Sequence, residues 1–384
     1  MIVKPSSRLN TVQEYYFSKK LVEIRQMQED GCHVINLGIG NPDGMPAPEV
    51  IAKLQEEIVK PNVHGYQSYA GIPELRQAIA DYNHWAYGID LNPETEILPL
   101  IGSKEGITHI SLAFLDEGDQ VFVPELAYPA YETVAKMCKA EVIRYPLNPE
   151  KNYEPDWDFF SATDWSKVKL FWMNYPHMPT GAPAEEETFK RVVEMARANR
   201  FIVVHDNPYS MVLPSGKPLS ILSVDKAEEV AIELNSLSKS FNMAGWRIGW
   251  AAAREDYIKT ILKVKSNVDS GMFKPVMLAA IEALKLREDW FDKLNAEYKE
   301  RRELVWHFLD CLGCTYDQNQ QGLFVWAKVG EQFANGHALV VELLYNHHIF
   351  ITPGFIFGEK GSQFVRVSLC NSKAVLEDSI KRLK

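Results

Sequence analysis

The chain has 384 residues, 46% of them hydrophobic and 24% charged, with a formal net charge of −10. That is enough apolar material for a large core, points to two domains of an ordinary globular protein, and argues against nucleic acid or an anionic membrane as partner. No apolar run approaches the roughly 18 residues of a membrane helix, no signal-peptide core opens the chain, and five cysteines do not make a disulfide framework, so a cytosolic, reducing location is expected.

Residues 12–27 read as a helix, because Leu21, Ile24 and Met27 recur at helical spacing. A strand from Val34 runs into the Gly/Pro turn of VINLGIGNPD. Gly38-x-Gly40 matches a dinucleotide fingerprint poorly, since Gly44 comes one place late and Pro42 disturbs a helix entry. Tyr66 lies in HGYQSYAGIPELR, residues 64–76. Glu96–Ser103 reads as a buried strand opening into a helix at Lys104–Leu115. The free N–H groups of that helix start, around Ser103, Lys104 and Glu105, form an anion site, and a hydroxyl cap by Ser103 is compatible with it. Gln120–Pro124 is another strand, followed by Y-P-x-Y at Tyr128–Tyr131.

Val168–Tyr175 is a continuous apolar strand ending in PHMPTG, with Met178 before Pro-Thr-Gly. Phe201–Asp206 ends in an acid, and Tyr209 follows. A carboxylate there costs free energy unless a cation meets it or it caps a turn.

In SLSKSFNMAGWRIGW, residues 236–250, Lys239 sits on a loop between the apolar segments Val230–Leu234 and Ile248–Ala253. A lysine in an apolar pocket loses charge readily and attacks carbonyls. Arg247 with Ser236 and Ser238 makes a seat for a phosphate dianion. A nucleophilic amine beside a phosphate seat points to covalently held pyridoxal phosphate, the protonated ring nitrogen of which suits Asp206. A solvated lysine in a Ser-rich loop is the ordinary alternative. The S-x-x-K spacing of serine acyl-enzymes also fits Ser236 and Lys239, but KTG is absent and Ser240-x-Asn242 lies too close to be the second element.

The loop Lys265–Gly271 precedes helical patterns at Phe273–Leu286 and Trp290–Leu312. Cys311 and Cys314 form a lone C-x-x-C with no second pair, read as structural, and no metal site is expected. Arg366 lies inside the apolar strand Phe364–Leu369, where either a substrate carboxylate or a buried ion pair must meet it.

The lysine segment resembles that of the class I/II aminotransferases, the fold-type I pyridoxal phosphate enzymes: a lysine, a serine three before it, an arginine eight after it, and a GWRIG ending. The other motifs follow in that family's order across residues 36–366, and the 265–271 loop, in which the family often sets specificity, is similar to a subgroup that includes diaminopimelate aminotransferases. The resemblance implies that Lys239 carries the cofactor and acts as general base, that Asp206 meets the ring nitrogen, and that Tyr209 meets the ring oxygen. It places Tyr128 on the ring face and the phosphate on Ser103, Lys104, Glu105, Ser236, Ser238 and Arg247, with Tyr66 reaching in from a neighbouring subunit. It gives the substrate carboxylate to Arg366 and the backbone near Gly40. Where Met178 stands the family usually has asparagine, and a thioether donates no hydrogen bond. His177 and Asn174 are the candidates to compensate.

The expected fold is α/β, a mostly parallel mixed sheet sandwiched by helices in a large domain, residues 46–284, with a smaller α+β domain from 1–45 plus 285–384. The expected protein is a homodimeric aminotransferase acting on an amino acid and a 2-oxo acid. A pyridoxal phosphate C–S lyase and a non-catalytic ligand-binding protein on the same fold are the alternatives.

Overall fold

The computed structural model describes residues 2–12 and 16–384. Its centre is a seven-stranded sheet of β1 (Ile97–Leu100), β2 (Gln120–Pro124), β3 (Glu141–Tyr145), β4 (Val168–Met173), β5 (Ile202–Asp206), β6 (Ala231–Ser236) and β7 (Gly249–Ala253), in the order β1-β7-β6-β5-β4-β2-β3. Only β7 runs against its neighbours, β1 and β6; the remaining pairs are parallel. The mostly parallel mixed sheet read from the sequence is therefore the fold.

Strands buried on both faces need continuous apolar runs, and these strands have them. Val121, Val123, Leu170, Trp172, Val204 and Ile232 pack on Ile107 and Ile110 of the helix Ser103–Phe114 and on Ile258 and Ile261 of the helix Glu255–Lys265. The alternate residues Phe122, Phe171 and Val203 face Phe189, Val192 and Val193 of the helix Glu186–Asn199. The period of two along each strand sorts the two layers.

A second sheet, antiparallel, joins Thr315–Tyr316, Phe324–Lys328, Phe364–Ser368 and Thr352–Pro353 in that order. Arg366 lies on its central strand, opposite Trp326 and Thr352. The strand predicted from Val34 is only Ile35–Asn36, because Asn36 Oδ1 accepts from Gly38 N at 3.0 Å and turns the chain. It pairs in parallel with Ile349–Phe350, which ties the N-terminal segment to the C-terminal part of the chain. The predicted helix at 12–27 is the helix Tyr16–Glu29; residues 13–15 of that prediction lie outside the described residues. The two long helical patterns are the helices Lys274–Leu284 and Glu288–Cys311.

Candidate active site

The carboxyl ends of β1, β4, β5 and β6 open on one side of the sheet, where α/β folds bind ligands. The loop between β6 and β7 carries Lys239. Its Nζ donates to Gly40 O at 2.5 Å. Gly40 is required there, since a Cβ would come 2.2 Å from the Phe324 ring. Burial lowers the Lys239 pKa from the usual lysine range, with Arg366 and Arg247 adding to the effect and Cys370 and Asp206 opposing it. The amine is thus biased toward its nucleophilic form.

Asp206 ends β5. Its Oδ2 accepts from Tyr131 Oη at 2.7 Å, whereas Oδ1 is buried with no hydrogen-bond partner among the described residues. Burial pushes its pKa up to about 6 against the opposing effects of Tyr131, His205 and Lys239. Tyr131 is held by stacking on Trp172, ring centroids 4.8 Å apart. The Y-P-x-Y pattern contained Tyr131, but nothing in the sequence linked it to Asp206.

The helix after β1 starts at Ser103, and no side chain caps it. Gly102, at φ +79°, turns the chain into it, and a Cβ there would come 2.2 Å from Arg247 Nη2. Arg247 Nη1 reaches Ser238 Oγ at 3.3 Å and Ala244 O at 2.8 Å. Ser238 Oγ in turn lies 2.8 Å from Ser236 Oγ. The helix start, the guanidinium and two hydroxyls therefore converge. The Glu105 amide is engaged with Gly102 O at 3.2 Å, and its carboxylate turns back to Ile101 N at 2.5 Å. Lys104 Nζ stands 6.0 Å from the centre of the Tyr128 ring.

At the opposite end Arg366 lies 3.7 Å from the Phe324 ring centroid and 4.7 Å from that of Phe357. Its Nη2 donates to Gly38 O at 3.0 Å and its Nη1 to Met178 Sδ at 3.2 Å. Met178, unable to donate, here accepts from the arginine. His177 does not compensate for the missing amide. Its ring nitrogens contact Thr180 Oγ1 at 2.7 Å and Leu126 O at 3.0 Å, and burial pushes its pKa down to about 4. Asn174 does line the site, with Nδ2 on Asp206 O at 2.5 Å and Oδ1 on Met178 N at 2.8 Å.

Lys239, Asp206, Tyr209, Tyr128, Ser103, Ser236, Ser238, Arg247, Gly40, Met178 and Arg366 all line one cavity of about 500 Å³. Lys104, Glu105 and Tyr66 do not line it, and Tyr66 is 92% exposed. Phe17, Phe324 and Phe357, which the sequence did not single out, complete the walls.

Residues 32–383 match the sequence profile of the family described as aminotransferase class I and II. The chain belongs to the class I and II aminotransferases. An LL-diaminopimelate aminotransferase of Halothermothrix orenii is 37% identical over 380 residues, 99% of this chain and 97% of that protein. One of Dehalococcoides mccartyi is 39% identical over 383 residues, 99% of this chain and 98% of its own. The substrate-bound BacF structure from Bacillus subtilis superposes with a TM-score of 0.93 at 33% identity, covering 100% of this chain and 97% of that one.

This aminotransferase is a pyridoxal phosphate-dependent transaminase that moves an amino group between an amino acid and a 2-oxo acid. The cavity fits that cofactor. The bare Asp206 Oδ1 needs a cationic partner, and the Gly102 cradle, which a Cβ would fill, sits beside Arg247. Gly102→Ala in this aminotransferase is expected to weaken cofactor affinity about tenfold, through the ~1–2 kcal/mol of strain at positive φ and the displaced guanidinium. Titration of cofactor-free protein, read by absorption, checks it.

Proposed function

We propose that the named residues divide the transamination as follows. When bound, pyridoxal phosphate supplies an aldehyde that takes up amines and a ring that draws electrons from the substrate α-carbon. Lys239 would hold that aldehyde, and its amine would serve as general base for the proton on the substrate α-carbon. Asp206, fixed by Tyr131, keeps the ring nitrogen protonated. Tyr209 would hydrogen-bond the ring oxygen and Tyr128 would pack on the ring. Ser103, Lys104, Ser236, Ser238 and Arg247 grip the phosphate, with the Glu105 backbone at the edge of the seat. Arg366, with the backbone near Gly40, takes the substrate carboxylate. The observation that carries this reading is that an uncharged-biased amine and a partnerless buried carboxylate oxygen share one cavity.

The test is to incubate protein, amino acid and 2-oxoglutarate. Glutamate formation supports the reading; ammonia and pyruvate without glutamate would replace it with C–S cleavage. Diaminopimelate, which the relatives' names point to, belongs beside the twenty amino acids in the donor screen.

Met178→Asn supplies the amide that the sulfur lacks. We expect kcat/KM to rise roughly 5- to 10-fold, the worth of one net hydrogen bond. Unchanged steady-state kinetics would show Met178 to be neutral.

The functional unit on this reading is a homodimer, with the exposed Tyr66 reaching the phosphate seat of the partner subunit. The large domain spans 46–284, and 1–45 with 285–384 form the small one, supported by the pairing of Ile35–Asn36 with Ile349–Phe350. The compartment on this reading is the reducing cytosol expected from the sequence.

A further inference from the structure

The loop Lys265–Gly271 does not stand alone beside the cavity. Lys265 is fully buried, and its ammonium pairs with Asp269 Oδ2. Asp269 Oδ1 accepts from Gly271 N at 2.8 Å. On the facing helix, Glu105 Oε2 accepts from Ile101 N at 2.5 Å, and Glu105 Oε1 lies 2.9 Å from His109 Nε2. One polar atom each of Glu105, His109 and Asp269 falls within 4.8 Å of the others, so two carboxylates meet one ammonium and one imidazole beneath the first turn of the helix. The far end of the loop is equally constrained. Gly271 has φ +84°, and a Cβ there would come 2.6 Å from Gln67 O, in the segment that carries Tyr66.

This arrangement answers an electrostatic difficulty. Glu105 stands in the first turn of the helix whose N-terminus is the phosphate seat, and a loose carboxylate there repels a dianion. Here it is turned back on Ile101 N and His109, with the Lys265 ammonium nearby to offset the second carboxylate. We infer that Lys265 and Asp269 are positioning residues for the cofactor phosphate: their ion pair, set against Glu105 and His109, keeps the Glu105 carboxylate turned away from the seat. The inference rests on the phosphate-seat assignment above. Neither residue lines the cavity.

The split between two cofactor forms tests it. Cofactor-free wild type, Asp269→Asn and Lys265→Met are titrated with pyridoxal phosphate and, separately, with pyridoxal, which has no phosphate. Affinity for pyridoxal phosphate is expected to fall roughly 10- to 100-fold, the range seen when the supporting partners of a bound group are removed, while affinity for pyridoxal stays at the wild-type value. Equal losses for both forms, or no loss for either, would overturn the inference. If Lys265→Met does not fold, the near-isosteric Asp269→Asn decides alone, with its thermal midpoint measured alongside. Because wild-type transamination and labelling of Lys239 are read separately, a failure here leaves the wider functional reading standing.

Discussion

Replacing Lys239 by alanine is expected to lower transamination at least ~10⁴-fold, the upper end for losing a proton-transfer group. The same variant is expected to lack the borohydride-fixed pyridoxyl label expected on Lys239 in wild type. The two readouts separate the amine's two tasks. With the proposed phosphate seat of the helix start, Arg247 and the serines intact, the variant should take up pyridoxal phosphate and release it on dialysis. Folding should be little affected, because the lost contact is a single hydrogen bond to Gly40 O, and burial already disfavours the charge. Lys104, near the Tyr128 ring, is the competing amine at the rim. A wild-type label found on Lys104 would overturn the assignment.

Asp206→Asn carries the second large effect, and it runs in opposite directions for catalysis and for the stability of the empty protein. Turnover should fall by ~10²–10³, as when one preorganised electrostatic group is removed. In cofactor-free protein the sign follows from the raised pKa. Burial pushes the folded Asp206 pKa up to about 6, above the 3.8 of an ordinary aspartate. The folded state therefore holds the proton more tightly between those values, and stability contributed at low pH is lost as pH rises through about 6. The swing is on the order of 3 kcal/mol, from 1.36 kcal/mol per unit. Asparagine cannot titrate, so wild type minus variant, measured by urea unfolding at pH 4 and pH 7.5, should fall by most of that amount, pH 4 lying just above the unfolded value. His177, whose pKa burial lowers to about 4, gives the opposite slope in both proteins and cancels in the difference. A difference that does not change with pH would show that Asp206 is not desolvated as described. Saturating cofactor should remove the swing, because the ring nitrogen then offers the missing partner.

The apolar central strands, the lysine loop and, through the family resemblance, the cofactor class could be read from the chain alone, whereas the half-exposed edge strand Glu141–Tyr145 and the spatial order of the strands could not. Each rests on neighbours in sequence: apolar runs such as Leu170–Met173, the glycines flanking Arg247, the acid ending β5. Short-range patterns of this kind report burial and turn chemistry directly. The tertiary structure alone decided what those groups touch. Tyr131 meets Asp206 across 75 positions, and Met178 meets Arg366 across 188. Lys265 and Asp269 reach the helix that starts at Ser103, and His177 turns away from the cavity to Leu126 and Thr180. The physical reason is that a hydrogen bond depends on ångström-scale positions, which the packing of distant elements sets, whereas spacing along the chain records only the local conformation.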